Sequence, residues 1–181
     1  MPSGIKVLPF PVFSESDLYE SISSFDCGDE DLNDFFMNEA EQYHQAKLAS
    51  THVLCSDSDI VGFFTLVTDC LHRQRVEPDD SVAYFAHQKY PAVKIARLAV
   101  NLPYQNQGIG SRSLKWIFKN LLRFSDLAAF RFVTVDAKNI GSVPAFYKKF
   151  GFHEVPNNKN TDTVPMYIDY LSIYRYVKER L

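Results

Sequence analysis

The stretch QNQGIGS, residues 105–111, decides the fold. It follows a predicted strand over 93–100 and opens a predicted helix. Gly108 and Gly110 free the backbone to expose several amides at the helix N-terminus, and these donors, together with the positive end of the helix dipole, suit a phosphate. A nucleotide P-loop is excluded because no Gly-Lys-Ser/Thr ending follows. Ser113 stands where a dinucleotide-binding fingerprint has its third glycine, which disfavours that motif.

Hydrophobic periodicity predicts an α/β fold around this loop. Strands are predicted over 5–10, 51–56, 60–68, 93–100, 130–137 and 164–170, and helices over 15–23, 29–43, 108–125, 142–150 and 171–181. The order strand, glycine loop, helix, strand, helix, strand in the second half predicts a partly parallel centre. Residues 70–89 are polar and irregular, and they are either a substrate loop or a surface excursion with a stray helical turn.

Length and composition predict one domain over 1–181. The apolar fraction of 46% excludes disorder, and the longest apolar run, Ile60–Val67, falls far short of the ~20 residues of a membrane span. The N-terminus has no basic segment followed by an apolar one, so we expect no export signal. Three cysteines without CxxC spacing predict reduced thiols in the cytoplasm. The five histidines lack metal-ligand spacing, so no metal site is expected.

The charge is distributed unevenly along the chain. Residues 1–90 hold 5 Lys/Arg and 16 Asp/Glu, whereas residues 91–181 hold 14 and 6. This asymmetry indicates either that the second half meets an anionic ligand or that both halves carry solvated charged faces.

Four sequence blocks carry a family resemblance: ARLAV (96–100), QxxGxG (105–110), DAKN (136–139) and FYKKFGF (146–152). In this order they resemble the GNAT N-acetyltransferase superfamily. The resemblance implies a mixed, mostly antiparallel sheet with a splayed parallel centre, flanked by helices. It also implies acetyl-CoA as the co-substrate and a primary amine as the acceptor.

The resemblance further implies which residues bind acetyl-CoA. In the family, the Q/R-x-x-G-x-G/A loop binds the pyrophosphate, which here implies contacts from Gln105, Asn106, Gln107, Gly108, Ile109, Gly110 and Ser111. Main-chain pairing of the pantetheine arm is implied for Leu98, Ala99 and Val100, and Asn139 would sit beside that arm.

Tyr147 is the candidate general acid for the departing thiolate. A tyrosine with a pKa of about 10 stays protonated at neutral pH and can donate to a thiolate whose conjugate acid has a pKa of about 8.5. In the family, the tyrosine of the Phe-Tyr pair has this role. The alternative is that Phe146 and Tyr147 are core aromatics.

A general base is harder to identify, because the strand Lys94–Val100 carries no carboxylate. A lysine amine needs about 3.5 kcal/mol more for deprotonation than an α-amine, so a site without a base favours α-amines or other weakly basic amines. Arg97 is expected to be a structural ion-pair partner. The basic stripe on the predicted helix 108–125 either approaches a phosphate of CoA or tRNA or is a solvated face, and it consists of Arg112, Lys115, Lys119 and Arg123.

The acceptor remains open between two classes. The opening FxCG at 25–28 and LNxF at 32–35 resemble the GNAT toxins that acetylate aminoacyl-tRNA. The net charge of −3 instead ranks a small molecule or peptide amine first. A non-catalytic acyl-CoA-binding module is a further alternative. For partners, tRNA, a second copy of the chain and an antitoxin stay open, and no membrane partner is expected.

Overall fold

The computed structural model describes residues 4–10, 18–56, 59–157 and 161–180. Within these residues, no helix is long and apolar enough to cross a membrane. The predicted helix start at 15–17 and the turn residues Asp57 and Ser58 lie outside the described residues.

Seven strands pair in one sheet in the order β1–β2–β3–β4–β5–β7–β6. Their bounds are β1 Ile5–Pro9, β2 Ser50–Ser56, β3 Asp59–His72, β4 Lys89–Val100, β5 Phe132–Lys138, β6 His153–Glu154 and β7 Thr163–Asp169. The β1–β2, β2–β3, β5–β7 and β6–β7 pairs are antiparallel, and the β4–β5 pair is parallel. The predicted mixed sheet with a parallel centre is therefore confirmed.

The helices follow the predicted order. Their bounds are α1 Leu18–Ser23, α2 Glu30–Asp34, α3 Ala40–Gln45, α4 Ile109–Phe124, α5 Val143–Lys148 and α6 Tyr170–Arg180. The Asp29 side chain caps α2 by accepting from Leu32 N. The predicted helix 29–43 is interrupted by a π-helical segment, Phe35–Glu39, which the hydrophobic period did not predict.

The described residues group into two compact units. Unit 1 comprises the described residues within Met1–Val67 and Ala96–Trp116, and unit 2 comprises those within Thr68–Ile95 and Ile117–Leu181. In the core of unit 1, Phe36 stacks on Phe63 with ring centroids 4.4 Å apart. The core of unit 2 contains Tyr90, Phe132 and Tyr167, whose side chains are buried. One domain over 1–181 stays a prediction.

The polar stretch after β3 is held in place by buried tyrosines of unit 2. It contains two short 3₁₀ turns, Arg73–Arg75 and Pro78–Asp80. The Tyr167 hydroxyl accepts from Glu77 N at 3.0 Å and donates to Asp80 Oδ2 at 2.9 Å. Tyr90 accepts from Val82 N at 2.9 Å. These contacts favour a fixed surface excursion over a free substrate loop.

Replacing Tyr167 by Phe tests this attachment. The substitution removes a donor to Asp80 and an acceptor for Glu77 N, so the free energy of unfolding should fall by about 1–3 kcal/mol. Urea unfolding measures the loss. Tyr84, which is 93% exposed, is the matched control: Tyr84→Phe should leave stability unchanged. Equal stability of both variants would contradict the attachment.

Candidate active site

The loop between β4 and α4 turns sharply in unit 1. A 3₁₀ turn, Leu102–Tyr104, begins it, and two later residues have left-handed backbone, Asn106 at φ 59° and Gly108 at φ 76°. A Cβ placed on Gly108 would meet nothing within 4 Å. Glycine is therefore required at position 108 for its backbone conformation and not for space.

This turn leaves unpaired amides at the start of α4, a helix of 16 residues. The first backbone bond at this end runs from Arg112 N to Gly108 O at 3.1 Å. The amides of Ile109, Gly110 and Ser111 find no backbone acceptor within the described part of the chain, as expected for the first turn of a helix. Ile109 is buried and anchors the turn, and the three amides lie where the sequence predicts an anion site.

The side chain of Gln105 does not point to this anion site. Its Nε2 donates to Cys27 O at 2.9 Å and to Val100 O at 3.0 Å, and its backbone N donates to Leu102 O. Gln107 Nε2 likewise donates to Pro103 O. Of the residues predicted to contact a pyrophosphate, these two use their side-chain donors to shape the loop.

The end of β4 is fixed by β3. A Cβ on Gly62 would lie 2.6 Å from Ala99 O, so only glycine allows this close approach. Asn101 extends the attachment, because its N donates to Val61 O and its Nδ2 to Ile60 O, both at 3.0 Å. Pairing of β4 with β5 covers only 92–95, which leaves Leu98–Val100 without a partner from β5 among the described residues.

Tyr147 lies on α5 in unit 2 and is only 5% exposed. Its ring packs edge-on against Phe146 and Phe152, with centroids 5.0 and 5.3 Å away. Burial raises the pKa of Tyr147, which keeps the hydroxyl protonated at neutral pH. Within the described residues this hydroxyl has no hydrogen-bond partner. A core tyrosine normally finds one, and the role of this hydroxyl as a proton donor stays a prediction.

Asn139 has local partners in unit 2. Its Nδ2 donates to Thr161 O at 3.0 Å and its backbone N to Asp162 O at 2.8 Å. The donor groups of Asn139 therefore hold the segment that precedes β7. Its predicted place beside the pantetheine arm stays a prediction.

Arg97 was expected to be an ion-pair partner, but the contact that the structure shows for it is with an aromatic ring. Its guanidinium carbon lies 3.4 Å from the centroid of the Phe35 ring in unit 1, which is a cation–π contact. Burial lowers the pKa of Arg97. The arginine is thus a packing residue of unit 1, and β4 offers no carboxylate as a base.

A cationic groove of unit 2 was missed from the sequence. It has a volume of about 360 Å³, and its lining includes four cations, Lys148, Lys149, Arg175 and Arg180, one acidic residue, Glu179, and the aromatic residues Phe150 and Tyr176. Lys148 pairs with Glu154, whereas Lys149 and Arg175 have no acidic partner in the described part of the chain. These cations come from α5 and α6, which are distant in sequence, so no local pattern predicts the groove.

Comparison with known proteins decides the family. The model of the acetyltransferase (GNAT) family matches residues 15–152. The chain belongs to this family. It is therefore an acetyltransferase, as the resemblance of its sequence blocks predicted.

Named relatives extend the comparison. The chain is 27% identical over 145 residues to a tRNA-acetylating toxin of Mycobacterium tuberculosis (strain ATCC 25618 / H37Rv), which covers 77% of this chain and 82% of the toxin. Its fold is similar to AtaT complexed with acetyl-methionyl-tRNAfMet, with a TM-score of 0.81, 22% identity, and coverage of 94% of this chain and 98% of AtaT. It is also similar to an AtaT variant bound to the C-terminus of the antitoxin AtaR and acetyl-CoA, with a TM-score of 0.77, 22% identity, and coverage of 97% and 99%.

Gly108→Ala tests the anion site. An L-residue in left-handed backbone costs about 1–2 kcal/mol, so the substitution should lower stability and shift the amides that follow it. Gly141, at φ 50° and also with open space around its Cβ position, is the matched control with the same strain. Both variants should lose similar unfolding free energy, but only Gly108→Ala should weaken acetyl-CoA binding in calorimetry. Equal affinity of the two variants for acetyl-CoA would show that the loop is not part of the acetyl-CoA site.

Proposed function

We propose that this acetyltransferase moves the acetyl group of acetyl-CoA to the α-amine of an aminoacyl-tRNA. The observation that carries the proposal is the 27% identity, over 77% of the chain, to a relative named as a tRNA-acetylating toxin. The overall acidity of the sequence favours a small amine as the acceptor, whereas the identity to this relative favours aminoacyl-tRNA.

The binding role falls to unit 1. The amides of Gly108–Ser111 would hold the diphosphate of acetyl-CoA, because they are unpaired donors at the positive end of a helix dipole. The strand edge at Leu98–Val100, which has no partner in β5 among the described residues, would pair with the amide groups of the pantetheine arm.

The chemical step is a direct transfer. The neutral α-amine attacks the thioester carbonyl carbon, a C–N bond forms, and the C–S bond then breaks. The thiolate of CoA takes the proton of the Tyr147 hydroxyl, the amine loses its own proton to solvent, and a proton from solvent restores the Tyr147 hydroxyl. Burial raises the pKa of Tyr147, so the hydroxyl carries its proton before the C–S bond breaks and takes a proton back afterwards.

The lack of a carboxylate on β4 also supports an α-amine as acceptor. An α-amine with a pKa of about 7.8 is partly neutral at physiological pH, whereas a lysine amine with a pKa of about 10.4 needs a base. A site without a base on this strand therefore discriminates between the two amines by their intrinsic acidity.

The cationic groove of unit 2 supports a polyanionic acceptor. Lys148, which lines the groove, directly follows Tyr147 on α5. Cations gathered on one surface suit a nucleic-acid backbone, since its phosphates pair with them. A tRNA substrate also accords with the cytoplasmic location predicted from the three cysteines, which are all free thiols.

On the basis of the AtaT–AtaR complex we further propose an antitoxin partner.

Thiol release from acetyl-CoA with different acceptors tests the acceptor class. Aminoacyl-tRNA should be acetylated, whereas deacylated tRNA and lysine side chains should not. Because phosphate contacts release counterions, the rate with aminoacyl-tRNA should fall by at least about tenfold between 50 and 200 mM salt. A flat salt response with fast turnover of a small amine would favour the small acceptor instead. Tight acetyl-CoA binding without turnover of any amine would favour the non-catalytic module.

Tyr147→Phe tests the general acid. The variant should lose about 10²–10⁴-fold in kcat while its affinity for acetyl-CoA stays near that of the wild type. Its free energy of unfolding should not fall, because the hydroxyl has no partner to lose among the described residues. Tyr167→Phe is the reciprocal control, since it should lose stability and keep its kcat. An unchanged kcat in Tyr147→Phe would remove this residue from the mechanism.

A further inference from the structure

Two loops that are distant in sequence are hydrogen-bonded to one another in unit 1. One is the segment 25–33 before and within α2, and the other is the β4–α4 loop. Leu102 N donates to Asp26 O at 2.8 Å, and Gln105 Nε2 donates to Cys27 O at 2.9 Å. The shape of the β4–α4 loop therefore depends on where the carbonyls of Asp26 and Cys27 lie.

Asn33 fixes those two carbonyls. Its Oδ1 accepts from Cys27 N at 2.9 Å, and its Nδ2 donates to Asp26 Oδ1 at 2.8 Å. The same carboxylate oxygen accepts from Gly28 N at 2.8 Å, and these bonds from Gly28 and Asn33 lower the pKa of Asp26. Asn33 thus sets the conformation of 26–28 from both sides.

Gly28 brings the two loops into contact. It has left-handed backbone at φ 80°, and a Cβ at this position would lie 3.4 Å from Leu102 Cδ2. A side chain here would be strained and would press on the β4–α4 loop. The close approach therefore needs both the glycine and the asparagine that holds its neighbours.

We infer that Asn33 is a positioning residue for acetyl-CoA, acting through the carbonyls of Asp26 and Cys27 and through Gln105 on the loop that presents the amides of α4. This inference rests on the proposed function. If the loop adopts its binding conformation only in a fraction of molecules, the apparent Kd rises by the inverse of that fraction. By linkage, acetyl-CoA must in turn stabilise the segment 25–33.

Asn33→Asp is the direct test, and Asn38→Asp is its matched control. Asn38 also donates its Nδ2 to a carboxylate, Asp34 Oδ1 at 2.7 Å, but has no link to the β4–α4 loop. Both substitutions replace a donor beside a carboxylate and add one negative charge. In calorimetry, Asn33→Asp should weaken acetyl-CoA binding by about tenfold or more, while Asn38→Asp should stay within about twofold of wild type.

Kinetics separate positioning from a general loss of structure. Asn33→Asp should raise the KM for acetyl-CoA, whereas kcat at saturating acetyl-CoA should stay within about threefold of wild type. Gln105→Glu removes the side-chain donor to Cys27 O and Val100 O, so it should also raise the KM for acetyl-CoA. Gln105→Arg keeps donors for these two carbonyls, so its KM for acetyl-CoA should be close to that of the wild type.

Hydrogen exchange on the wild-type chain gives a test that needs no variant. Acetyl-CoA should slow exchange of the amides of Cys27, Gly28 and Leu102. Unchanged exchange at these amides, or equal acetyl-CoA affinity of Asn33→Asp and Asn38→Asp, would overturn the inference. A wild-type chain that binds no acetyl-CoA would instead overturn the proposed function.

Discussion

The proposed binding of acetyl-CoA depends on a few backbone amides at the start of α4 that have no backbone acceptor among the described residues. A helix must begin with unpaired N–H groups, and most helices hide them with a side-chain cap or expose them to water. At the start of α4 the glycine at position 108 takes a left-handed backbone, and Gln105 is held by two carbonyls. In the proposed anion site, these contacts would hold the donors in place before any ligand arrives.

The residues around this site, both in the sequence and in the fold, decide what it can bind. Gly62 lets β3 approach the end of β4, which fixes the strand edge that leads into the loop.

Two tyrosines of unit 2 are similarly buried, but their hydroxyl groups differ in what they contact. Burial raises the pKa of both, yet the Tyr167 hydroxyl is tied to Asp80, while that of Tyr147 has no partner among the described residues.

Local signals in the sequence predicted most of the fold, and long-range contacts explain what they missed. The glycine at position 108 and the apolar strands are set by local sequence, and both were predictable. The strand His153–Glu154 was missed because it has two exposed polar residues. Gln105 was expected at a phosphate, but its amide is used by Cys27 O and Val100 O, and only the folded chain brings these carbonyls together. The cationic groove likewise joins α5 with α6.

An NMR titration of the ¹⁵N-labelled chain tests the central claim most directly. Acetyl-CoA carries the diphosphate, and acetyl-pantetheine lacks it but shares the thioester arm. The amide resonances of Gly108–Ser111 should shift strongly with acetyl-CoA and stay in place with acetyl-pantetheine. Equal shifts with both compounds, or none with acetyl-CoA while it binds elsewhere, would contradict the account.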